Sequence, residues 1–327
     1  MKKIAGFSRV LEKTPCAICG RMNDPAFMTV LDPIKHNQIP YTLVKCSECG
    51  LIYLNPRPGA EGGLESHPEE YWKRKNLFYQ TEEPARTSTL KNALLRLFFA
   101  EEIRHIKENI PPNGRLLEVG FGNGDFLQLL RNVGYQTLGI EADPASFGVA
   151  KKKHPHLELY NTSIENVAFK TEPFDAVIMI HVLEHVRNPN GALGEIRRIL
   201  ADTGSLFIWV PNIDCYQFRI FRERYFNLCA PQHMYQYTPE TLRRLLENNG
   251  FKVIRISHQS IRSNSATLVC SLFPGLNPVS LALRSGERFT SAKRILAHIL
   301  AAFFIPFTAL EGFLGHGANM FVLAVKD

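Results

Sequence analysis

Between residues 90 and 260, short apolar runs alternate with amphipathic stretches that have helical spacing. Continuous apolar runs of this length are typical of strands buried on both faces of a sheet. They predict strands at 115–119, 136–141, 157–160, 174–180, 205–210, 251–257 and 318–325. The amphipathic stretches predict helices at 90–110, 125–133, 143–153, 191–200 and 240–248. Strands that alternate with helices in this way predict an α/β fold, a doubly wound seven-stranded sheet.

The end of the first predicted strand carries candidate binding chemistry. Glu118 is followed by glycines at alternate positions, Gly120, Gly122 and Gly124, and then by an amphipathic helix. A strand, a glycine-rich turn and a helix start form a nucleotide-binding geometry, because a bare backbone lets a ligand approach closely. The next strand ends in Glu141, about twenty residues on, where a ribose-binding carboxylate is expected. A tight turn that binds nothing is the alternative.

Glu118, the G-x-G-x-G turn and the strand that ends in Glu141 resemble motifs of class I S-adenosylmethionine (SAM)-dependent methyltransferases. The resemblance implies that the turn faces the methionine and ribose parts of SAM, that Glu118 organises the ammonium end, and that Glu141 binds the ribose. It also implies adenine contacts in the loop after the third strand. The cofactor-binding residues implied are Glu118, Gly120, Gly122, Gly124, Glu141, Ala142, Ser163, Ile164 and His181.

Two further segments narrow the resemblance. The run from His181 to His185 at the end of the fourth strand, and the segment 232–240, are similar to those of ubiquinone-biosynthesis O-methyltransferases. In that family His181 would lie beside the cofactor, and the last strand would be antiparallel. The resemblance covers residues 90–260 well and residues 261–315 hardly at all.

His185 and His233 are the candidate catalytic residues. Both belong to segments at the carboxyl ends of strands, where open α/β sheets bind ligands. Histidine can remove a proton from a hydroxyl nucleophile near neutral pH. Alternatively, each histidine hydrogen-bonds a loop or lines the pocket, and an acceptor that is already ionised needs no base.

Four cysteines near the N-terminus form two Cys-x-x-Cys-Gly knuckles, Cys16 with Cys19 and Cys46 with Cys49. Two knuckles supply four thiolates for tetrahedral zinc, and a full shell of thiolates predicts a structural ion. The long gap between the knuckles leaves room for a hairpin through 27–31 and 41–44. Two redox pairs or unliganded thiols are the alternatives.

The predicted organisation is a zinc ribbon at 1–58, a linker or lid at 59–89, and a methyltransferase domain at 90–327 with an apolar helical insertion at 261–315. In the linker, Tyr71, Trp72 and Tyr79 either close over the cofactor or pack on the domain. The net charge of +7 is compatible with an anionic substrate, a nucleic acid or an acidic membrane, and selects none of them. The N-terminal sequence lacks the apolar core of a signal peptide, which predicts a cytoplasmic protein.

Basic residues Arg284, Arg288, Lys293 and Arg294 precede an apolar run at 295–310. The run is shorter than the roughly 20 residues that cross a bilayer. A basic flank before such a run is compatible with membrane or lipid-like contact through 284–314. A buried helix pair over the sheet or a dimer interface is the alternative.

These patterns together predict a SAM-dependent methyltransferase that acts on a small molecule, at a hydroxyl oxygen. An RNA methyltransferase that binds RNA with its ribbon is the first alternative. The ribbon loops lack the basic and aromatic surface of single-strand binders, so nucleic acid is not the expected partner. A SAM-binding or assembly module without turnover is the second alternative.

Overall fold

The computed structural model describes residues 11–31, 40–59, 95–167, 169, 172–277 and 291–327. The predicted lid aromatics Tyr71, Trp72 and Tyr79 lie outside these residues, as do Arg284 and Arg288. The strands are β1 (Leu11–Glu12), β2 (Ala26–Leu31), β3 (Pro40–Lys45), β4 (Ile52–Leu54), β5 (Arg57–Pro58), β6 (Arg115–Val119), β7 (Gln136–Ile140), β8 (Glu158–Tyr160), β9 (Phe174–Ile180), β10 (Leu200–Pro211), β11 (Tyr235–Gln236), β12 (Phe251–Ser257) and β13 (Asn319–Lys326). The α-helices are α1 (Ala100–Asn109), α2 (Asp125–Asn132), α3 (Pro144–Lys153), α4 (Pro189–Ile199), α5 (Tyr216–Phe221), α6 (Pro239–Asn248), α7 (Ile261–Leu272), α8 (Ser291–Phe303) and α9 (Ile305–Phe313).

Seven strands of the described chain form the central sheet, in the order β8-β7-β6-β9-β10-β13-β12. The pairs on the β8 side and the β9–β10 pair are parallel, whereas β13 is antiparallel to both β10 and β12. The carboxyl ends of β6, β7, β9, β10 and β12 therefore lie at the same edge. The doubly wound seven-stranded fold is confirmed, and so is the antiparallel last strand.

Alternate residues of the strands enter two different cores, because successive strand side chains point to opposite faces. Leu116 and Ile178 pack with Ile106 of α1 and Leu129 of α2 on one face. On the other face, the strands pack with the apolar sides of α4 and α6. Both faces are therefore covered, which explains why the predicted strands are apolar throughout.

The N-terminal segment forms a small sheet in the order β11-β4-β3-β2. The predicted hairpin is present, since β2 pairs antiparallel with β3. The strand β11 comes from residues that follow β10, and Tyr235 of β11 is opposite Tyr53 of β4. The fold of the predicted 1–58 module is thus completed by a strand from the methyltransferase portion.

Side-chain contacts strengthen this junction. Arg57 donates to the carboxylate of Glu12 and to the carbonyl oxygen of Arg187, at 2.8 Å in each case. Arg187 also forms an ion pair with Glu12. Buried side chains of the N-terminal sheet, Tyr53 among them, belong to the same core cluster as β6 and β9.

The predicted insertion consists of α7, α8 and α9, between β12 and β13. It is attached by buried polar groups. The side-chain oxygen of Asn264 accepts from the Asn319 backbone N–H at 2.8 Å, and its amide donates to the His258 carbonyl at 3.0 Å. Gln217 of α5 donates to the Glu311 carboxylate of α9 at 2.8 Å.

Candidate cofactor and catalytic site

The glycine turn after β6 has a backbone that side chains would disfavour. Gly120, Gly122 and Gly124 have φ angles of +72°, +60° and +77°, in the left-handed region that glycine adopts without strain. A Cβ atom on Gly120 would lie only 2.5 Å from Cγ2 of Val182. The turn therefore touches the loop after β9, which carries the predicted histidines.

Glu141 is held against this turn by backbone donors. Its Oε2 accepts from the Gly122 N–H and its Oε1 from the Asp143 N–H, both at 3.0 Å. Asp143 in turn caps the N-terminus of α3, as the sequence predicts, by accepting from the Ala145 N–H. The structure thus brings the predicted ribose-binding carboxylate to the glycine turn, although the two are separated by a helix in sequence.

Asn161 is a site residue that the sequence reading missed. Its amide donates to the carbonyl oxygen of Glu141 at 2.7 Å and to that of Ala142 at 3.4 Å. It therefore ties the predicted adenine loop, with Ser163 and the buried Ile164, to the end of β7. The only sequence signal was its position directly after the third strand.

Glu118 is 4% exposed, and its Oε2 atom has no hydrogen-bond partner among the described residues. Burial raises the pKa of its carboxyl group, and the nearby carboxylates of Glu141 and Asp125 add to this effect. An unpartnered buried acceptor is costly unless a ligand satisfies it. The bare turn and this carboxylate therefore fit SAM, whose amino acid end carries an ammonium group.

His181 stands at the meeting point of the two loops. It has a φ of +53°, which is uncommon outside glycine and is found at functional sites. Its N–H donates to the carbonyl oxygen of Trp209 at 2.8 Å, and its Nδ1 lies 3.4 Å from Oε1 of Glu184. The side chain is partly exposed, beside the turn that Gly120 begins.

Glu184, His185 and His233 form a compact group, in which each can offer a ligand atom within 4.8 Å of the others. The His185 Nδ1 donates to the Gln232 carbonyl at 2.9 Å, and the His233 Nδ1 donates to the Asn227 carbonyl at 2.7 Å. Each ring therefore carries its basic lone pair on Nε2. The two rings meet edge to face at 4.6 Å. The group could pass a proton or hold one divalent cation.

The two histidines differ in basicity, because His233 is buried. Burial, together with the neighbouring His185, lowers the pKa of His233 to about 3, so this ring is neutral at pH 7. Burial would raise the pKa of Glu184, but His181, His185 and His233 lower it to about 2. An ionised carboxylate therefore lies beside the histidines and can stabilise a positive charge on one of them.

The four knuckle cysteines converge at the N-terminal sheet. Their sulfurs all lie within 4.8 Å of one another, with Cys16 and Cys49 at 3.3 Å and Cys19 and Cys46 at 3.4 Å. Gly20 and Gly50 follow the knuckles with φ angles of +73° and +80°. Burial raises the pKa of the Cys16 thiol to about 12, so thiolates would form here chiefly with a cation present. The donor set fits zinc.

The remaining cysteines, Cys215, Cys229 and Cys270, are buried, as expected.

Comparisons with known proteins agree with this geometry. Relatives include the ubiquinone biosynthesis O-methyltransferase of Bartonella quintana, 25% identical over 57% of this chain and 78% of the relative. The enzyme of that name from Cereibacter sphaeroides is 27% identical over 45% of this chain, which spans about three fifths (61%) of the relative's length.

Solved structures of similar fold include a possible histamine N-methyltransferase from Thermotoga maritima, 18% identical, with a TM-score of 0.44 over 79% of this chain and 100% of that one. Another is coclaurine N-methyltransferase bound to N-methylheliamine and SAH, 14% identical, with a TM-score of 0.46 over 79% and 81%.

The family described as "Methyltransferase domain" matches residues 87–256, just over half of the 327-residue chain. The matched segment contains the glycine turn, Glu118, Glu141 and His181. The chain therefore belongs to the methyltransferase-domain family, and it is a class I SAM-dependent methyltransferase.

Proposed function

We propose that the chain transfers the methyl group of SAM to a hydroxyl oxygen of a small-molecule acceptor, with His185 as the general base. The observation that carries this proposal is the grouping of His185 with an ionised Glu184 beside the glycine turn. The names of the relatives in Bartonella and Cereibacter, which are O-methyltransferases, support the attack by oxygen.

The cofactor would be held by the turn, by Glu118 at its ammonium group and by Glu141 at its ribose. SAM, when bound, supplies a methyl group on a positively charged sulfur, which makes the methyl carbon electrophilic. The protein's main task is to hold the acceptor oxygen close to that carbon and in line with the sulfur–carbon bond.

His185 would accept the hydroxyl proton on Nε2 while the oxygen forms its new bond to carbon and the sulfur–carbon bond breaks. The Gln232 carbonyl fixes the tautomer that this step requires. The Glu184 carboxylate stabilises the imidazolium that results. His233 is a poorer base at pH 7, because its pKa is about 3; we assign it to positioning of the His185 ring.

The cofactor assignment is tested by titration calorimetry with S-adenosylhomocysteine. We expect Glu141→Ala to weaken binding at least tenfold, since a carboxylate bound to two ribose hydroxyls makes charge-assisted hydrogen bonds. The matched control is Glu158→Ala, an exposed carboxylate on the neighbouring strand β8, which should bind as the wild type does. Equal affinity in Glu141→Ala and the wild type would contradict the assignment.

The base assignment is tested with SAM carrying a tritiated methyl group and a set of phenols and catechols, with and without an isoprenoid tail. His185→Ala should lower kcat about 10²- to 10⁴-fold, as loss of a general base does, and leave S-adenosylhomocysteine binding unchanged. His233→Gln should cost less. If no acceptor is methylated although the cofactor binds, the chain is a SAM-binding module without turnover.

A further inference from the structure

The helices α8 and α9 carry an apolar surface that the described protein does not cover. Phe303 is 73% exposed and Phe313 is 76% exposed. We call this surface the apolar face, and its main side chains are Ile295, Ile299, Phe303, Phe307, Leu310 and Phe313. A contiguous exposed group of this size on one helix pair marks an interaction surface. The sequence left a buried helix pair open as an alternative; these exposed side chains contradict it.

The apolar face belongs to the edge of the sheet where the cofactor loops lie. The insertion leaves β12 at its carboxyl end, after Ser257, and returns at Asn319, which is opposite Pro211 at the carboxyl end of β10. Its packing on the sheet is close. A Cβ atom on Gly312 of α9 would lie 2.6 Å from the carbonyl oxygen of His258. The helices are therefore fixed at this edge.

The charge around the apolar face has one sign. Glu311 is the only acidic residue between 291 and 318, and it is turned inward, buried and bonded to Gln217. Lys293 at the start of α8 is exposed, and Arg294 follows it in the sequence. The preceding segment 284–292 adds two arginines and one glutamate. An apolar surface with a basic border and no exposed acid in α8 or α9 complements anionic lipid headgroups.

The same surface is poorly matched to a second copy of the chain. A twofold interface pairs a surface with itself, so the basic border would meet a basic border with no acid from α8 or α9 to neutralise it. A bilayer that contains anionic lipid supplies both the apolar phase and the negative charge.

The packing also limits how the helices could enter a bilayer. No single helix in the described ranges is long and apolar enough to cross a membrane, but α8 and α9, bent by 48°, pass that test as a pair. One side of α9 is bound to the protein, because Thr308 bonds Ser265 at 2.7 Å and Glu311 bonds Gln217. A helix held along its length by the protein can submerge its outer side only.

We propose that the apolar face of α8 and α9 docks shallowly, parallel to the surface, onto membranes that contain anionic phospholipid. The docked protein would turn the cofactor edge of its sheet toward the lipid.

Sedimentation with phospholipid vesicles tests the proposal on the full chain. We expect the wild type to pellet with vesicles of three parts phosphatidylcholine to one part phosphatidylglycerol, and at least tenfold less with phosphatidylcholine alone. The double variant Phe303→Asp with Phe313→Asp should lose binding at least tenfold. Lys293→Glu should weaken binding to the anionic vesicles selectively.

The matched control is Tyr160→Asp, an exposed aromatic residue on the strand at the opposite edge of the sheet, which should pellet as the wild type does. Circular dichroism and the thermal midpoint check that the variants fold. Binding by the double variant equal to that of the wild type would overturn the proposal, as would wild-type protein that stays in the supernatant. A wild-type dimer that the double variant dissociates, without vesicle binding, would show that a second copy covers the face.

Discussion

The N-terminal sheet and the α7–α9 insertion are both attached to the methyltransferase sheet, but in opposite ways. The N-terminal sheet turns its apolar side chains inward, shares a core cluster with β6 and β9 and takes β11 as its fourth strand. The insertion is joined through buried amide and carboxyl groups and leaves large apolar side chains outside. The first arrangement stabilises the fold, whereas the second also provides a surface for a partner.

The strongest test of this contrast is removal of the metal site. Cys46→Ser should lower the free energy of unfolding by more than about 4 kcal/mol, because a structural metal site is lost from a module that shares its core with the sheet. We expect one cooperative thermal transition at a lower midpoint, with zinc content falling in metal analysis. Cys270→Ala, a buried cysteine outside the knuckles, is the control and should keep its zinc. A separate low-temperature transition of the N-terminal sheet would contradict the shared core.

The polar attachment of the insertion is tested at Asn264. Asn264→Ala removes bonds to the His258 carbonyl and the Asn319 backbone, and it leaves these groups buried without partners. The expected cost is about 3 kcal/mol in urea unfolding. Asn132→Ala, on an exposed helix surface, should change stability by less than about 0.5 kcal/mol. A cost at Asn264 as small as that of the control would show that apolar packing alone attaches the insertion.

The junction of the N-terminal sheet is tested at Arg57. Its side chain is 12% exposed and bonds Glu12 and the Arg187 carbonyl. Arg57→Ala should cost about 2 kcal/mol, since it breaks charge-assisted bonds in a partly buried site. Arg244→Ala breaks an exposed ion pair with Glu240 at 2.7 Å and should cost less than about 0.5 kcal/mol. Similar losses in the two variants would remove Arg57 from the junction.

The smallest expected effect is a pH dependence specific to the insertion. Burial raises the pKa of Glu311 from its ordinary 4.5 to about 7. A raised carboxyl pKa contributes stability that is present below pH 4.5 and is lost as the pH rises through about 7. Glu311→Gln keeps a partner for Gln217 and should remove roughly 1–2 kcal/mol of the decline between pH 5 and pH 8. Identical slopes for variant and wild type in urea unfolding would exclude the effect.

The sequence by itself determined the parts of this protein that depend on neighbouring residues. The period of apolar positions predicted the strands and helices, because side-chain direction repeats every two residues in strands and every 3.6 in helices. The alternate glycines predicted the turn at Gly120, since few other residues adopt its backbone. The Cys-x-x-Cys-Gly spacing likewise predicted that four sulfurs would converge, and they do.

Only the tertiary structure decided how distant segments meet. No local pattern could show that β11 completes the N-terminal sheet, that Asn161 bonds the end of β7, or that Gln217 and Glu311 pair across two elements. The same holds for His233, which the sequence offered as a base equal to His185, whereas burial lowers its pKa to about 3. Burial and partners are set by the packing of residues far apart in the chain, and they decide which of two similar side chains can take a proton.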